Sequence, residues 1–120
     1  WFTAPDGESQ INVAFSNNQG KTFSDPIRVD AGDSQGRVDL EWLDEKTIVA
    51  SWLDAKEEYS SIVYRKIDIN GTLSEISYVE SLGGGRGIGY PQFELMEDQI
   101  LFVWTDPLGK NQIKSRWIDL

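Results

Sequence analysis

The feature that most constrains this chain is a period. Ile11, Ile62 and Ile113 are spaced 51 and 51 residues apart, and Trp1, Trp52 and Trp104 are spaced 51 and 52. Around the later two tryptophans, Ala50-Ser51-Trp52-Leu53-Asp54 reads against Phe102-Val103-Trp104-Thr105-Asp106. Upstream, Leu40-Glu41-Trp42-Leu43 reads against Phe93-Glu94-Leu95-Met96. Arg65 and Arg116 are again 51 apart, as are Gly20 and Gly71. Several coincidences in one register mark an internal repeat. A repeat of this length is a supersecondary unit that buries its apolar face against its neighbours, not by itself.

Within the period, short runs of Val, Ile, Phe, Trp and Tyr alternate with clusters of Gly, Asp, Asn, Ser and Pro. No segment keeps a helical spacing for more than a couple of turns. Strands are expected over 1–4, 11–16, 27–29, 38–43, 47–53, 61–68, 76–81, 92–96, 100–105 and 113–118, so the fold class is all-β. A unit of this length with four antiparallel strands matches one blade of a β-propeller. With the strands of a blade named A (innermost) to D, residues 1–33 supply B, C and D of one blade. Residues 34–82 make a complete blade, and residues 83–120 supply A, B and C of a third. About two and a half blades form a single partial domain, whereas a closed ring takes at least about four. Closure is therefore expected to need the remainder of a propeller or other copies of the chain. The chain opens on Trp1 without an initiator Met and reads as the C-terminal piece of a longer ring.

Composition removes several functions. Eleven basic against twenty acidic residues give a net charge of −9, which argues against nucleic acid and against anionic membrane surfaces as partners. No apolar run approaches the roughly 18–20 residues of a spanning helix. The sequence has no Cys and no His, so thiolate and imidazole catalysis, disulfides and Cys/His zinc sites are excluded. The acidic stretch 54–58 lacks calcium-loop spacing. The glycine-rich stretch 83–89 lacks the Lys-Ser/Thr of a phosphate loop. Neither a metal nor a cofactor is expected.

Ser16-Asn17-Asn18-Gln19-Gly20-Lys21-Thr22-Phe23 resembles the Asp-box, or BNR repeat, of the sialidase superfamily, whose pattern is Ser-x-Asp-x-Gly-x-Thr-Trp. Ser16, Gly20 and Thr22 match, Phe23 stands in for the aromatic, and Asn18 replaces the usual Asp. The box is a turn between strands C and D in which a short polar side chain accepts backbone N–H bonds, so Asn18 keeps the acceptor and loses only the charge. Gly20 can supply a positive φ, and the aromatic is expected to pin the turn to the sheet. The next repeat keeps only Gly71. The resemblance implies that the box is structural and lies on the face opposite the ligand pocket.

The resemblance implies a sialidase-like propeller, with an exo-sialidase or related glycoside hydrolase acting on terminal sialic acids as one reading. In that family a Tyr nucleophile is assisted by a Glu, an Asp serves as acid/base, and three Arg clamp the substrate carboxylate. A secreted or periplasmic location follows from the resemblance alone. The alternative is a non-catalytic propeller that binds glycan or protein and keeps the box for folding, since fold does not choose function. The D–A and B–C loops of the ligand face select Arg37, Arg86, Asp54 and Asp106 as substrate contacts and Tyr90 as a candidate nucleophile. Arg37 and Tyr90 each precede a repeat-matched apolar residue (Leu40, Phe93) by three, and Asp54 and Asp106 each follow the repeat Trp by two. Only Arg37 and Arg86 lie in these loops, so an arginine triad is not completed within the chain, and an enzyme would hold most of its catalytic residues elsewhere. Trp42, Trp52, Trp104 and Trp117 are expected to pack between blades.

Overall fold

The computed structural model describes residues 1–55, 58–83, 88–108, 110 and 112–120. All ten expected strands are present: β1 (Phe2–Thr3), β2 (Gln10–Val13), β3 (Ile27–Arg28), β4 (Asp39–Trp42), β5 (Thr47–Ala55), β6 (Tyr59–Asp68), β7 (Ser77–Gly83), β8 (Gln92–Met96), β9 (Gln99–Asp106) and β10 (Gln112–Asp119). Among the described residues there is no α-helix, and a 3-10 turn lies at Pro5–Gly7. β2 ends three residues before the expected Ser16 because its hairpin passes from ladder to side-chain bonds. Ser24 N–H donates to the Phe15 carbonyl (2.8 Å), but Phe15 N–H turns to Ser24 Oγ (3.0 Å). β5, β6 and β7 each run two residues further than expected at one shared end, where Ala55 pairs with Ser60 and Ser60 with Leu82.

The strands form three antiparallel sheets in the orders β1-β2-β3, β4-β5-β6-β7 and β8-β9-β10. The sequence period reappears as register. Phe2 pairs with Ile11, Leu53 with Ile62, and Thr105 with Ile113, so each repeat isoleucine lies across from the residue that follows a repeat tryptophan. Leu40 pairs with Ala50 and Phe93 with Phe102 at the corresponding points of the first strands.

Alternation along β5 decides the packing. Ile48, Ala50 and Trp52 face the first sheet, together with Val63 and Ile67 of β6, and close on Ile11 and Val29. Val49 and Leu53, with Ile62 and Tyr64, face the third sheet and close on Phe93, Ile100, Phe102 and Trp104. The middle sheet is thus buried on both faces, which is why β5 is an almost unbroken apolar run. Two repeat arginines fasten the stack near the outer strands. Arg65 of β6 donates to the Val29 carbonyl (3.0 Å) just beyond β3, and Arg116 of β10 donates to the Val79 carbonyl of β7. At the first strands, Phe93 N–H of β8 donates to Asp39 Oδ2 of β4 (3.1 Å).

Trp52 and Trp104 are buried between sheets as expected, but Trp42 and Trp117 are largely exposed. Trp42 stands on the face of β4 turned to the first sheet, where the Phe15 ring, just beyond β2, stands against it at 5.9 Å between centroids. Trp117 pairs with Leu101 on the outward face of the third sheet.

Candidate functional site

The segment leading into β4 carries the most unusual backbone near the candidate residues. Residues 33–36 run beside the end of β5: Ser34 bridges Asp54, Gln35 N–H donates to the Leu53 carbonyl (2.7 Å), and Leu53 N–H donates to the Gly36 carbonyl (3.1 Å). Pairing then resumes at Asp39 with Ser51, so the four residues 35–38 stand against only Leu53 and Trp52 across a bulge. Gly36 and Arg37 both have positive φ, +71° and 55°. Glycine adopts this region freely, and at Gly36 a Cβ would also crowd the Phe2 ring at 3.1 Å. For Arg37 the left-handed conformation costs about 1–3 kcal/mol. Bulges of this kind re-aim side chains, and here the guanidinium carbon lies 5.5 Å from the Tyr90 ring centroid. That is cation–π distance. The Nε–H of Arg37 is buried and has no hydrogen-bond partner among the described residues.

Tyr90 is 75% exposed, and among the described residues no carboxylate bonds its hydroxyl. Arg37 and Tyr90, expected in ligand-face loops and at equivalent positions of successive repeats, are therefore brought together. Asp54 bridges Ser34 in the same segment and accepts a bond from Trp52 Nε1 (3.3 Å). The repeat-equivalent Asp106 is buried and otherwise employed: it accepts Leu108 N–H (3.0 Å) and lies 2.5 Å from Lys114 Nζ. Trp104 Nε1 is correspondingly left without a partner among the described residues. Arg86 lies outside the described residues. Among the described residues, no three His, Cys, Asp or Glu come together to hold a metal ion.

The Ser16–Phe23 hairpin joins β2 to β3. Ser16 Oγ accepts Gly20 N–H (2.8 Å), and Asn18 Oδ1 accepts Thr22 N–H (2.9 Å) while Asn18 Nδ2 donates to Thr22 Oγ1 (2.7 Å). Asn18 thus supplies both an acceptor and a donor, and Gly20 has φ +79°. Phe23 departs from expectation: it is 64% exposed and lines open hollows beside the hairpin, so it does not pin the turn. The corresponding β6–β7 turn is tighter, with Asp68 Oδ1 accepting Asn70 N–H (2.8 Å) and Gly71 at φ +90°.

Two further roles go beyond the expected site residues. The inter-sheet bonds of Arg65 and Arg116 have a signal in the sequence, their spacing of 51. The charge neutralisation of Asp106 by Lys114 depends on hairpin geometry and has none. No family model matches the chain, nor does any curated protein or solved structure.

Proposed function

We propose that the three sheets are consecutive blades of an Asp-box β-propeller of the sialidase type, and that the end carrying Arg37 and Tyr90 binds an anionic sugar without catalysing its hydrolysis. Support for the blade reading is the shared register of the three sheets and the side-chain bonding of the Ser16–Phe23 hairpin. The observation that carries the ligand reading is the strained Arg37, held against an exposed aromatic ring with a buried, unpartnered Nε–H. A planar guanidinium fits a carboxylate bidentately, and an aromatic face packs on the apolar side of a sugar. The net charge of −9 repels an anion at long range, so affinity has to come from the contact itself. Catalysis by Tyr90 would call for a carboxylate at its hydroxyl, and the described residues provide none.

The test is titration of the protein with free sialic acid, followed by NMR shifts of the Arg37 and Tyr90 side chains. Saturable shifts are expected in both, abolished by Arg37→Ala and absent with a neutral hexose. Equal responses to the neutral and the anionic sugar would refute the anion reading. Release of sialic acid from a sialoside by the protein, lost in Tyr90→Phe, would replace binding with hydrolysis.

A further inference from the structure

The turn between β6 and β7 contains Asn70-Gly71-Thr72, the one place in the chain where an asparagine is followed two residues later by Ser or Thr. That spacing, with any residue but proline between, is the acceptor pattern for N-linked glycan transfer. The pattern is short, so its placement in the fold decides what it can do.

Both side chains that the pattern needs are available. Asn70 and Thr72 are exposed, and neither the Asn70 carboxamide nor the Thr72 hydroxyl makes a hydrogen bond among the described residues. Other groups hold the turn. Gly71 N–H donates to the Asp68 carbonyl (2.8 Å), Asp68 N–H to the Thr72 carbonyl (2.9 Å), and Ile69 N–H to the Lys46 carbonyl (2.8 Å). Asp68 Oδ1 accepts Asn70 N–H (2.8 Å). The Ser16–Phe23 hairpin is the contrast, because there Asn18 and Thr22 bond to each other and close the turn. The period of 51 puts Ile69 and Leu73 at those two positions. The second hairpin therefore closes through its main chain and Asp68, and the side chains of Asn70 and Thr72 take no part in holding it.

The turn also stands clear of the candidate site. β6 begins at the end where Ser60 Oγ donates to Gln35 Oε1 (3.0 Å), in the segment that leads to Arg37. It reaches Asp68 about 26 Å further along the strand. A bulky group on Asn70 leaves the Arg37–Tyr90 end open.

From this we infer that Asn70 is an acceptor site for an N-linked oligosaccharide, delivered from a polyprenyl diphosphate by an oligosaccharyltransferase. In the transfer, Asn70 Nδ2 bonds to the anomeric carbon of the first sugar. The bond from that carbon to the diphosphate oxygen breaks, and the diphosphate leaves with the electron pair. The Nδ2 proton passes to a base of the transferase. An amide nitrogen is a weak nucleophile, since its lone pair is delocalised into the carbonyl. The acceptor therefore has to offer its carboxamide and the Thr72 hydroxyl to the enzyme together, and an exposed turn that uses neither does so. This inference does not rest on the ligand reading of Arg37 and Tyr90.

The test incubates the folded, full chain with a purified oligosaccharyltransferase and a polyprenyl-diphosphate-linked oligosaccharide, then measures the mass of the tryptic peptide of residues 67–86. Expected is a gain of one oligosaccharide on that peptide, lost in Asn70→Gln and in Thr72→Ala and kept in Thr72→Ser. Urea midpoints of Asn70→Gln and of the modified chain are expected to match that of the unmodified protein, because the turn uses neither side chain. A free peptide of residues 66–76 serves as the control. Modification of the peptide but not of the folded chain would show the turn closed to the enzyme and overturn the inference. Failure of both, or a gain that survives in Asn70→Gln, would overturn it as well.

Discussion

Ile62 and Ile113 stand at the same point of the repeat, each across from the residue after a buried tryptophan. Ile62 is fully buried between the middle and third sheets, and Ile113 is 77% exposed. β6 and β10 pair in the same register with the strand before them, although β6 also pairs with β7 and β10 is an edge strand, so the hairpin alone does not explain the difference. What differs is the neighbour: the face of the middle sheet that holds Ile62 meets another sheet, and the same face of the third sheet meets solvent. Burial in this molecule is therefore a property of sheet order, and a residue's energetic weight follows from its place in the stack.

The largest expected effect compares these two positions. Ile62→Ala should destabilise the chain by about 2–5 kcal/mol, as buried isoleucine truncations do, whereas Ile113→Ala should stay within about 0.5 kcal/mol. Urea denaturation of both variants checks this, and equal losses would mean that Ile113 is covered in solution. Next come the inter-sheet arginines. Arg65→Met removes bonds to the Val29 and Ser74 carbonyls and is expected to cost about 1–3 kcal/mol. Arg116→Met removes a half-exposed side chain shared between the Val79 carbonyl and Glu80, and should cost less than about 1 kcal/mol.

A smaller contrast lies within the Ser16–Phe23 hairpin. Asn18→Ala loses its bonds to Thr22 and is expected to cost about 1 kcal/mol, while Asn18→Asp keeps the acceptor and should be nearly neutral. A proteolysis or denaturation series separates the two. The smallest expected effect is a dependence on pH set by Asp30. Burial alone would raise its pKa, but the Arg28 guanidinium and the N–H groups of Ile11 and Gly32 outweigh burial and hold it below the ordinary Asp value. Because the folded value is the lower one, this stabilisation is complete above the ordinary carboxylate range near about pH 4 and is lost as pH falls through the folded value. Asp30→Asn should flatten that part of the urea midpoint against pH. An unchanged slope would place the acid sensitivity on other carboxylates.

The strands were legible because their signals are local: alternation along Gln92–Met96, turn residues at 97–98, and an apolar run in Thr47–Ala55. Register was legible because the period places Ile11, Ile62 and Ile113 in the same pairing. Exposure was not, since Trp42 and Trp52 lie on adjacent strands and face the same sheet, yet Trp52 on the inner strand β5 is buried and Trp42 on the edge strand β4 is half exposed. At the candidate site, the equivalence of Arg37 and Tyr90 was legible in their equal offsets before Leu40 and Phe93, but their contact was not. Nor was the bulge that turns Arg37 toward the ring, because Gly36 alone does not specify which neighbour takes the left-handed conformation. Asp106 shows the limit of repeat reasoning. Its position matches Asp54, but a lysine that the other repeat does not have at the corresponding place takes its charge.

The bonds from Arg65 to Val29 and from Arg116 to Val79 each span one boundary and reach no further. With the apolar seams also confined to adjoining sheets, the free energy is close to a sum of nearest-neighbour couplings along a short line. Such a line frays. The first and third sheets should open independently of each other, each losing one coupling, while the middle sheet opens only after a partner has gone. The rarest openings, and the slowest amide exchange, are then confined to the contact between β5 and β6.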